Sequence, residues 1–391
     1  MNNQLKRYLK NNHNKITIGE DDGFSSLSIV DDDLEDKEIF LTGENHGVKA
    51  NVKLRMKFLE YFKQKTDFKY YLCELPFSVA YFLNMYLKTG NEDLLKMVYR
   101  PLKGTDAWNK DDYEHWMEVY ELNESMPKDR KITIVGVDIE HQPKNALIFM
   151  DYCLYEKDIP KEIEGVVDDL KIIIKTDRDL TNDELKRFSK KLDMDLDDKE
   201  EIYRILLKEN YYKFKHINKN LLIMYEVYQG NNFNDIRDRK MYQNFIELYN
   251  RLPKGKYYGQ LGLSHIFQRP FPYVNWFGAA LNSKESIFRG KVLSIAYVYH
   301  NCKYLYPTIR KNYISSINTL DPALEVFNDF TKGEYTIFKL NGKDSPFIRK
   351  LIWPILHKLP EGGVTADYFQ YLVIVKDSQA ANPLELKEHN K

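Results

Sequence analysis

The sequence predicts an α/β fold: a mostly parallel central sheet flanked by helices, with a large all-helical insert. Three observations predict it. Short apolar runs alternate with helical periodicities up to about Glu140, the pattern of strand–helix–strand units. Three of these runs end in a carboxylate: Glu44, Glu74 and Asp138. Strand patterns then vanish between Lys144 and Leu252 and return beyond.

Residues 1–36 are charge-segregated. Lys6, Arg7, Lys10 and Lys15 precede Asp21, Asp22, Asp31, Asp32, Asp33, Glu35 and Asp36. This reads as a polar, solvated N-terminal segment, with cation binding by the acids as the alternative. Ile39-Phe40-Leu41 is the first strand and runs into Gly43-Glu44-Asn45-His46-Gly47. Val52, Met56, Leu59 and Phe62 then recur at helical spacing from Val48 to Lys65. Tyr70 to Glu74 is a second strand, and Phe77 to Lys88 a helix stopped near Thr89-Gly90. Asp111 to Asn123 is a further helix, and Ile132 to Asp138 a third strand.

The catalytic core is assigned to residues 37–143 and 253–391, and the insert or lid to 144–252. Within the insert, Glu162 to Lys175, Asn182 to Leu192, Asp198 to Lys208 and Asn220 to Tyr228 are charged amphipathic helices. Thr181 and Glu184 form a capping-box signature. Strands resume at Tyr257 to Leu261, Val292 to Tyr299 and Tyr368 to Val375.

Composition narrows the partners. A formal net charge of zero argues against nucleic acid or a membrane surface. No run of about 18 apolar residues exists to span a bilayer. Cys73, Cys153 and Cys302 show no CxxC spacing, which fits reduced thiols in a cytoplasmic protein. The basic stretch from Met1 to Lys15 lacks the apolar centre of a secretory signal.

Strand-end acids and imidazoles gather where open α/β sheets bind ligands. His46 is placed as a general base, with the following helix N-terminus favouring its neutral form. Glu44 and Glu74 can polarise that imidazole and a water, or join it around a metal. Arg55, on the helix leaving the loop, can hold a substrate oxygen or pair with an acid. His265 closes a later strand and can carry a proton or polarise a carbonyl. Ser264 lacks the glycine of a nucleophile elbow, Ile266 standing there instead. Cys73 adjoins Glu74 on a strand, so the two side chains are expected on opposite faces. HExxH, GxxxxGK[ST] and GxGxxG are all absent.

In order along the chain, these segments resemble the erythromycin esterase-like hydrolases, and more distantly the Tiki protease and ChaN haem-uptake families. The matching pieces are Gly43, Glu44, His46 and Gly47; Glu74 before Leu75-Pro76-Phe77; and Trp116 and Asn123 leading to Gly136-Val137-Asp138. Arg237, Asp238, Met241 and Asn244 follow on one helix, then His265-Ile266 and a closing segment from Tyr368 to Ala381. The resemblance implies hydrolysis by water that His46 activates, with Glu44, Glu74, His265 and Arg55 in support and no acyl-enzyme. It makes Asp138, Arg237 and Asn244 candidates for holding substrate, a macrolide or modified peptide among the options. No cofactor is expected. The single residue Asn45 between Glu44 and His46 is nearer the Tiki and ChaN pattern. That keeps open a metal-dependent peptidase with Glu44, His46, Glu74 and His265 as ligands to a divalent metal, a haem- or small-molecule-binding protein, and a tailoring enzyme of peptide natural products.

Overall fold

A computed structural model describes residues 2–19, 23–176, 181–307, 309–356 and 359–386. Its strands are β1 (His13–Lys15), β2 (Ile39–Glu44), β3 (Tyr70–Pro76), β4 (Thr133–Asp138), β5 (Tyr257–Gly262), β6 (Val292–His300), β7 (Cys302–Leu305), β8 (Ile314–Ile317), β9 (Tyr335–Lys339) and β10 (Tyr371–Lys376). Its helices are α1 (Asn2–Asn11), α2 (Lys49–Thr66), α3 (Phe77–Thr89), α4 (Glu92–Tyr99), α5 (Lys110–Ser125), α6 (Pro143–Leu154), α7 (Lys161–Lys175), α8 (Asn182–Asp198), α9 (Glu200–Leu207), α10 (Tyr211–Gln229), α11 (Phe233–Tyr249) and α12 (Phe277–Leu281). Among the described residues no helix is long and apolar enough to cross a membrane.

One sheet runs in the order β1-β9-β10-β6-β2-β5-β3-β4. From β10 to β4 every neighbour is parallel, and β9 and β1 add an antiparallel edge. The expected mostly parallel sheet is therefore present. Every residue of β2 is buried, as befits a central strand covered on both faces. Leu54, Phe58, Leu59 and Phe62 form the buried stripe of α2. Gly90 closes α3 in the left-handed conformation (φ 66°), at the predicted stop. The order β2-β5-β3-β4 sets four parallel C-terminal ends side by side. Glu44, Gly262, Glu74 and Asp138 thereby come to one edge from distant parts of the chain.

Three differences from the sequence reading have physical causes. The N-terminal segment is not simply solvated. Leu5, Tyr8 and Leu9, at helical spacing on α1, are buried, as are Leu27 and Val30 beyond it. Its acids bond tyrosines of the core, Asp31 accepting from Tyr61 (2.7 Å) and Asp33 from Tyr371; Asp21 and Asp22 lie outside the described residues. The charged residues masked an apolar stripe. Second, α11, within the predicted insert, packs on the sheet. Met241 and Phe245 share a core with Leu41 and Leu72 of the sheet, because the helix turns one apolar face onto it. Third, β3 does not stay regular. Cys73 pairs with Gly136 but Pro76 with Asp138, so the register slips across Glu74 and Leu75. A bulge of this kind re-aims side chains at the end of a strand.

The loop after β2 is clamped from outside. Gly47 (φ 81°) accepts backbone hydrogen bonds from Leu305 (2.9 Å) and Ala381 (2.8 Å). A Cβ at Gly47 would stand 2.4 Å from the Leu305 carbonyl oxygen. The segment holding Ala381 also bonds the start of α5, Lys110 donating to the Asn382 carbonyl at 2.7 Å.

The β3 bulge needs space on β4. A Cβ at Gly136 would lie 2.6 Å from both the Leu75 and Pro76 carbonyl oxygens. Gly136→Ala is expected to destabilise by about 1–3 kcal/mol, the usual range for overpacking. A lowered thermal midpoint checks this, and an unchanged one would show that the bulge is not tightly held.

Candidate active site

The base of the site is the loop at the end of β2. Glu44 ends the strand almost fully buried, and its Oε1 accepts from His46 Nδ1 at 2.6 Å. Asn51, on the first turn of α2, donates Nδ2 to Glu44 Oε2 and to the Asn45 carbonyl (2.7 Å). Tyr299 of β6 donates its hydroxyl to Asn51 Oδ1 (2.7 Å) and accepts from the Asn45 backbone (3.0 Å). Both Glu44 oxygens are thus held, and the imidazole orientation is fixed by its neighbour. The His46 side chain itself is 56% exposed, so its far edge meets solvent.

Electrostatics correct one expectation about His46. The Glu44 charge pushes its pKa above the usual histidine range, with smaller contributions from Glu74 and Asp106, against the opposing effect of desolvation. The helix N-terminus loses this contest. A full charge at 2.6 Å outweighs a dipole end of about half a charge whose first helical residue is Lys49. The pairing with Glu44 thus favours the protonated form of the ring.

Behind it lies a chain of buried charges. Arg237 of α11 donates Nη2 to Glu74 Oε1 (2.6 Å) and to Asp138, and Nε to Asp138 Oδ1 (3.0 Å). His265, past β5, sits with Nε2 3.2 Å from Glu74 Oε1 and Nδ1 2.8 Å from Asp238 Oδ1. Burial alone would raise the Glu74 pKa, but His265 and Arg237 outweigh it and hold Glu74 well below the carboxylate range. Burial would likewise discharge His265, yet Glu74 and Asp238 raise it to about 10. The Gly262 backbone donates to Glu74 Oε2 at 2.7 Å.

The predicted residues converge in part. A methyl placed on Gly262 would lie 3.3 Å from Glu74 Oε2, 3.3 Å from His265 Cδ2 and 3.4 Å from His46 Cε1. Glu44, His46, Glu74 and Arg55 line one cavity of about 240 Å³. Val79, Leu83, Val98, Tyr99, Leu102 and Trp116 form its apolar wall. Cys73 lines it as well as Glu74, contrary to the alternation expected of a regular strand, because the bulge breaks the period. Burial pushes the Cys73 thiol well up, so it stays protonated.

Other roles change. Arg55 faces the cavity but pairs with Asp112, not with Glu44 or Glu74, and its Nε is buried without a partner. His265 has both ring nitrogens engaged and stands behind Glu74, so it is a fixed cation rather than a proton carrier. Asp138 is buried and grips Arg237 and His141 instead of facing the cavity. Asn244 is fully buried, donating to the Val137 carbonyl (2.9 Å), and so braces α11 on β4 rather than touching substrate. The insert was expected to wall the cavity, yet no described residue of 144–252 lines it; α3, α4 and α5 do so. The insert instead delivers Arg237 and Asp238 from behind. Sequence reasoning missed Asn51, Tyr299 and Asp112. Only Asn51 left a signal, lying one helical turn past the His46 loop.

Among the described residues no group of three or more His, Cys, Asp or Glu is arranged to hold a metal ion. Between Glu74 and Asp138 the positive charge is the Arg237 guanidinium.

The chain matches no family model and no curated protein. Solved structures do match. A Bacillus cereus protein superposes with a TM-score of 0.72, covering 98% of this chain and 100% of its own at 16% identity. A succinoglycan biosynthesis protein gives 0.70, with 98% and 99% covered at 14% identity. A mutant of the erythromycin esterase EreC in its open conformation gives 0.64, with 93% and 96% covered at 14% identity. At these identities the likeness establishes the fold, and it is the one the sequence resemblance implied.

The raised His265 pKa makes a stability prediction. Its folded value near 10 exceeds the unfolded value of about 6.5, so its ion pairs stabilise fully below pH 6.5. That contribution is lost as pH rises towards 10. The stability gap between wild type and His265→Gln should narrow across this window in denaturant titrations, whereas a gap independent of pH would contradict a protonated His265.

Proposed function

From this erythromycin esterase-like fold, we propose a hydrolase that cleaves an ester, lactone or amide with water activated by His46 and without an acyl-enzyme. One observation carries the reading. The His46–Glu44 pair opens on a cavity whose described lining contains no serine or threonine and whose thiol is held protonated. The hydroxyl and thiol nucleophiles most used in acyl transfer are thus missing from the described lining or held protonated, which supports water as the nucleophile.

Glu44 holds the His46 Nδ1 proton, so Nε2 is the atom free to work. In its neutral form, Nε2 takes a proton from water as the new bond to the carbonyl carbon forms. Collapse of the tetrahedral adduct expels the leaving group, and the imidazolium returns the proton to it. The products are an acid and an alcohol or amine. Glu74 keeps a fixed negative charge beside the imidazole, its oxygens held by Arg237, His265 and the Gly262 backbone. Arg55 is the one arginine or lysine among the described lining residues, and its guanidinium, anchored by Asp112, supplies the positive charge proposed to face a carbonyl oxygen. The reaction is proposed to need no metal, because Glu74 and His265, two of the four candidate ligands, are already bonded within the protein.

His46→Ala is expected to cut hydrolysis of an aryl ester panel by about 10²–10⁴-fold, the usual weight of a general base. The variant should stay folded with a somewhat lowered thermal midpoint, because Glu44 loses its cation but keeps its hydrogen bond from Asn51. Persistent turnover in this variant would remove His46 as the base.

The pH profile tests the dyad. Only neutral His46 can accept a proton, so activity should climb on the alkaline side. Glu44→Gln removes the charge that raises His46 and should move this limb down towards the ordinary histidine value, about 6.5. A limb that stays in place would separate Glu44 from the titration of the base.

A further inference from the structure

The helical insert holds a second cavity, of about 350 Å³, that shares no lining residue with the first. Tyr212, Lys215, His216 and Lys219 line it at i, i+3, i+4 and i+7 on α10, a single helical face. Arg204 of α9 and Arg251, just past α11, complete its basic rim.

Part of this charge is neutralised locally. Arg204 bonds Glu200, Lys215 bonds Asp197 at 2.7 Å, and His216 Nδ1 lies 3.1 Å from Glu247. Lys219 and Arg251 have no carboxylate within ion-pair distance among the described residues. Arg251 instead lies over the Tyr212 ring, 3.4 Å from its centroid. Lys240 stands nearby, its pKa lowered by burial, with Lys219 adding to the effect and Glu247 opposing it. Five cations thus crowd three carboxylates. His216 is almost fully buried, and burial favours its neutral form against the opposing pull of Glu247. With Nδ1 turned to Glu247, its Nε2 offers no donor, and the ring serves as a reporter of the cavity. Cations kept together without matching acids maintain a field that favours an anion.

We propose that this cavity binds a compact oxyanion of the phosphate type, held by Lys219 and Arg251, with His216 as its neighbour in the lining. The guanidinium offers a planar fork to two oxygens, and the lysine a point charge. An inorganic phosphate and the phosphate of a small monoester share this chemistry.

The test is a titration of the intact protein at low ionic strength, where screening is weak. Inorganic phosphate, phenyl phosphate and acetate are added separately, with calorimetry and the His216 carbon Cε1 resonance as readouts. Saturable binding of a phosphate, with a His216 shift, is expected in wild type and in His46→Ala alike. Lys219→Ala and Arg251→Ala should each weaken it at least about ten-fold, Arg251→Lys less so. Tighter phenyl phosphate points to a phosphorylated small molecule, equal affinities to the free ion. The absence of a His216 response in wild type, acetate binding as tightly as phosphate, or unchanged affinity in both alanine variants would overturn the site. The wild-type resonance decides the matter even where a variant folds poorly.

Discussion

The structure turns on how a buried guanidinium is neutralised. Arg237 stands between Asp138 and Glu74, Glu74 meets His265, and His265 meets Asp238. Charges alternate along this line from the end of β4, through the end of β3, to the turn after β5 and back to α11. An isolated ion there would face a desolvation cost of several kcal/mol, and loss of one partner from a buried pair commonly costs about 3–5 kcal/mol. The line therefore works as a unit. It fixes Glu74 as a carboxylate beside His46 and fastens the insert's last helix to the sheet.

Two histidines show how environment divides roles between identical side chains. Each has a glutamate within hydrogen-bond reach. His46 is 56% exposed and keeps one ring edge for solvent, while His265 is 7% exposed and spends both nitrogens on protein partners. The first is free to exchange protons with a bound molecule. The second holds its charge and shapes the field behind Glu74.

Much of this was legible in the sequence. Strand-end acids placed Glu44, Glu74 and Asp138 at one rim because parallel strands share an edge, whatever their order. His46 followed from its loop, and Arg237 from the resemblance of its helix. The misses have distinct causes. The β3 bulge broke the two-residue alternation that had separated Cys73 from Glu74, and periodicity carries no sign of a local slip. Leu5, Tyr8 and Leu9 were hidden by surrounding charge. The partner of Arg55 is Asp112, 57 residues away, and the brace on the His46 loop comes from Tyr299, 254 residues away. Such distant pairings are set by sheet order, which no local pattern encodes.

The clamp on the His46 loop also orders events in time. The loop leaves the ribosome early, but a residue that secures the start of α2, Ser378, follows its partner Ala50 by 328 positions. Through most of translation Gly47 lacks both backbone donors that fasten it. A nascent chain can thus begin to pair its central strands while the loop that bears His46 is still loosely held. The loop that bears His46 reaches its final hold only when β7 and the segment after β10 have emerged and docked.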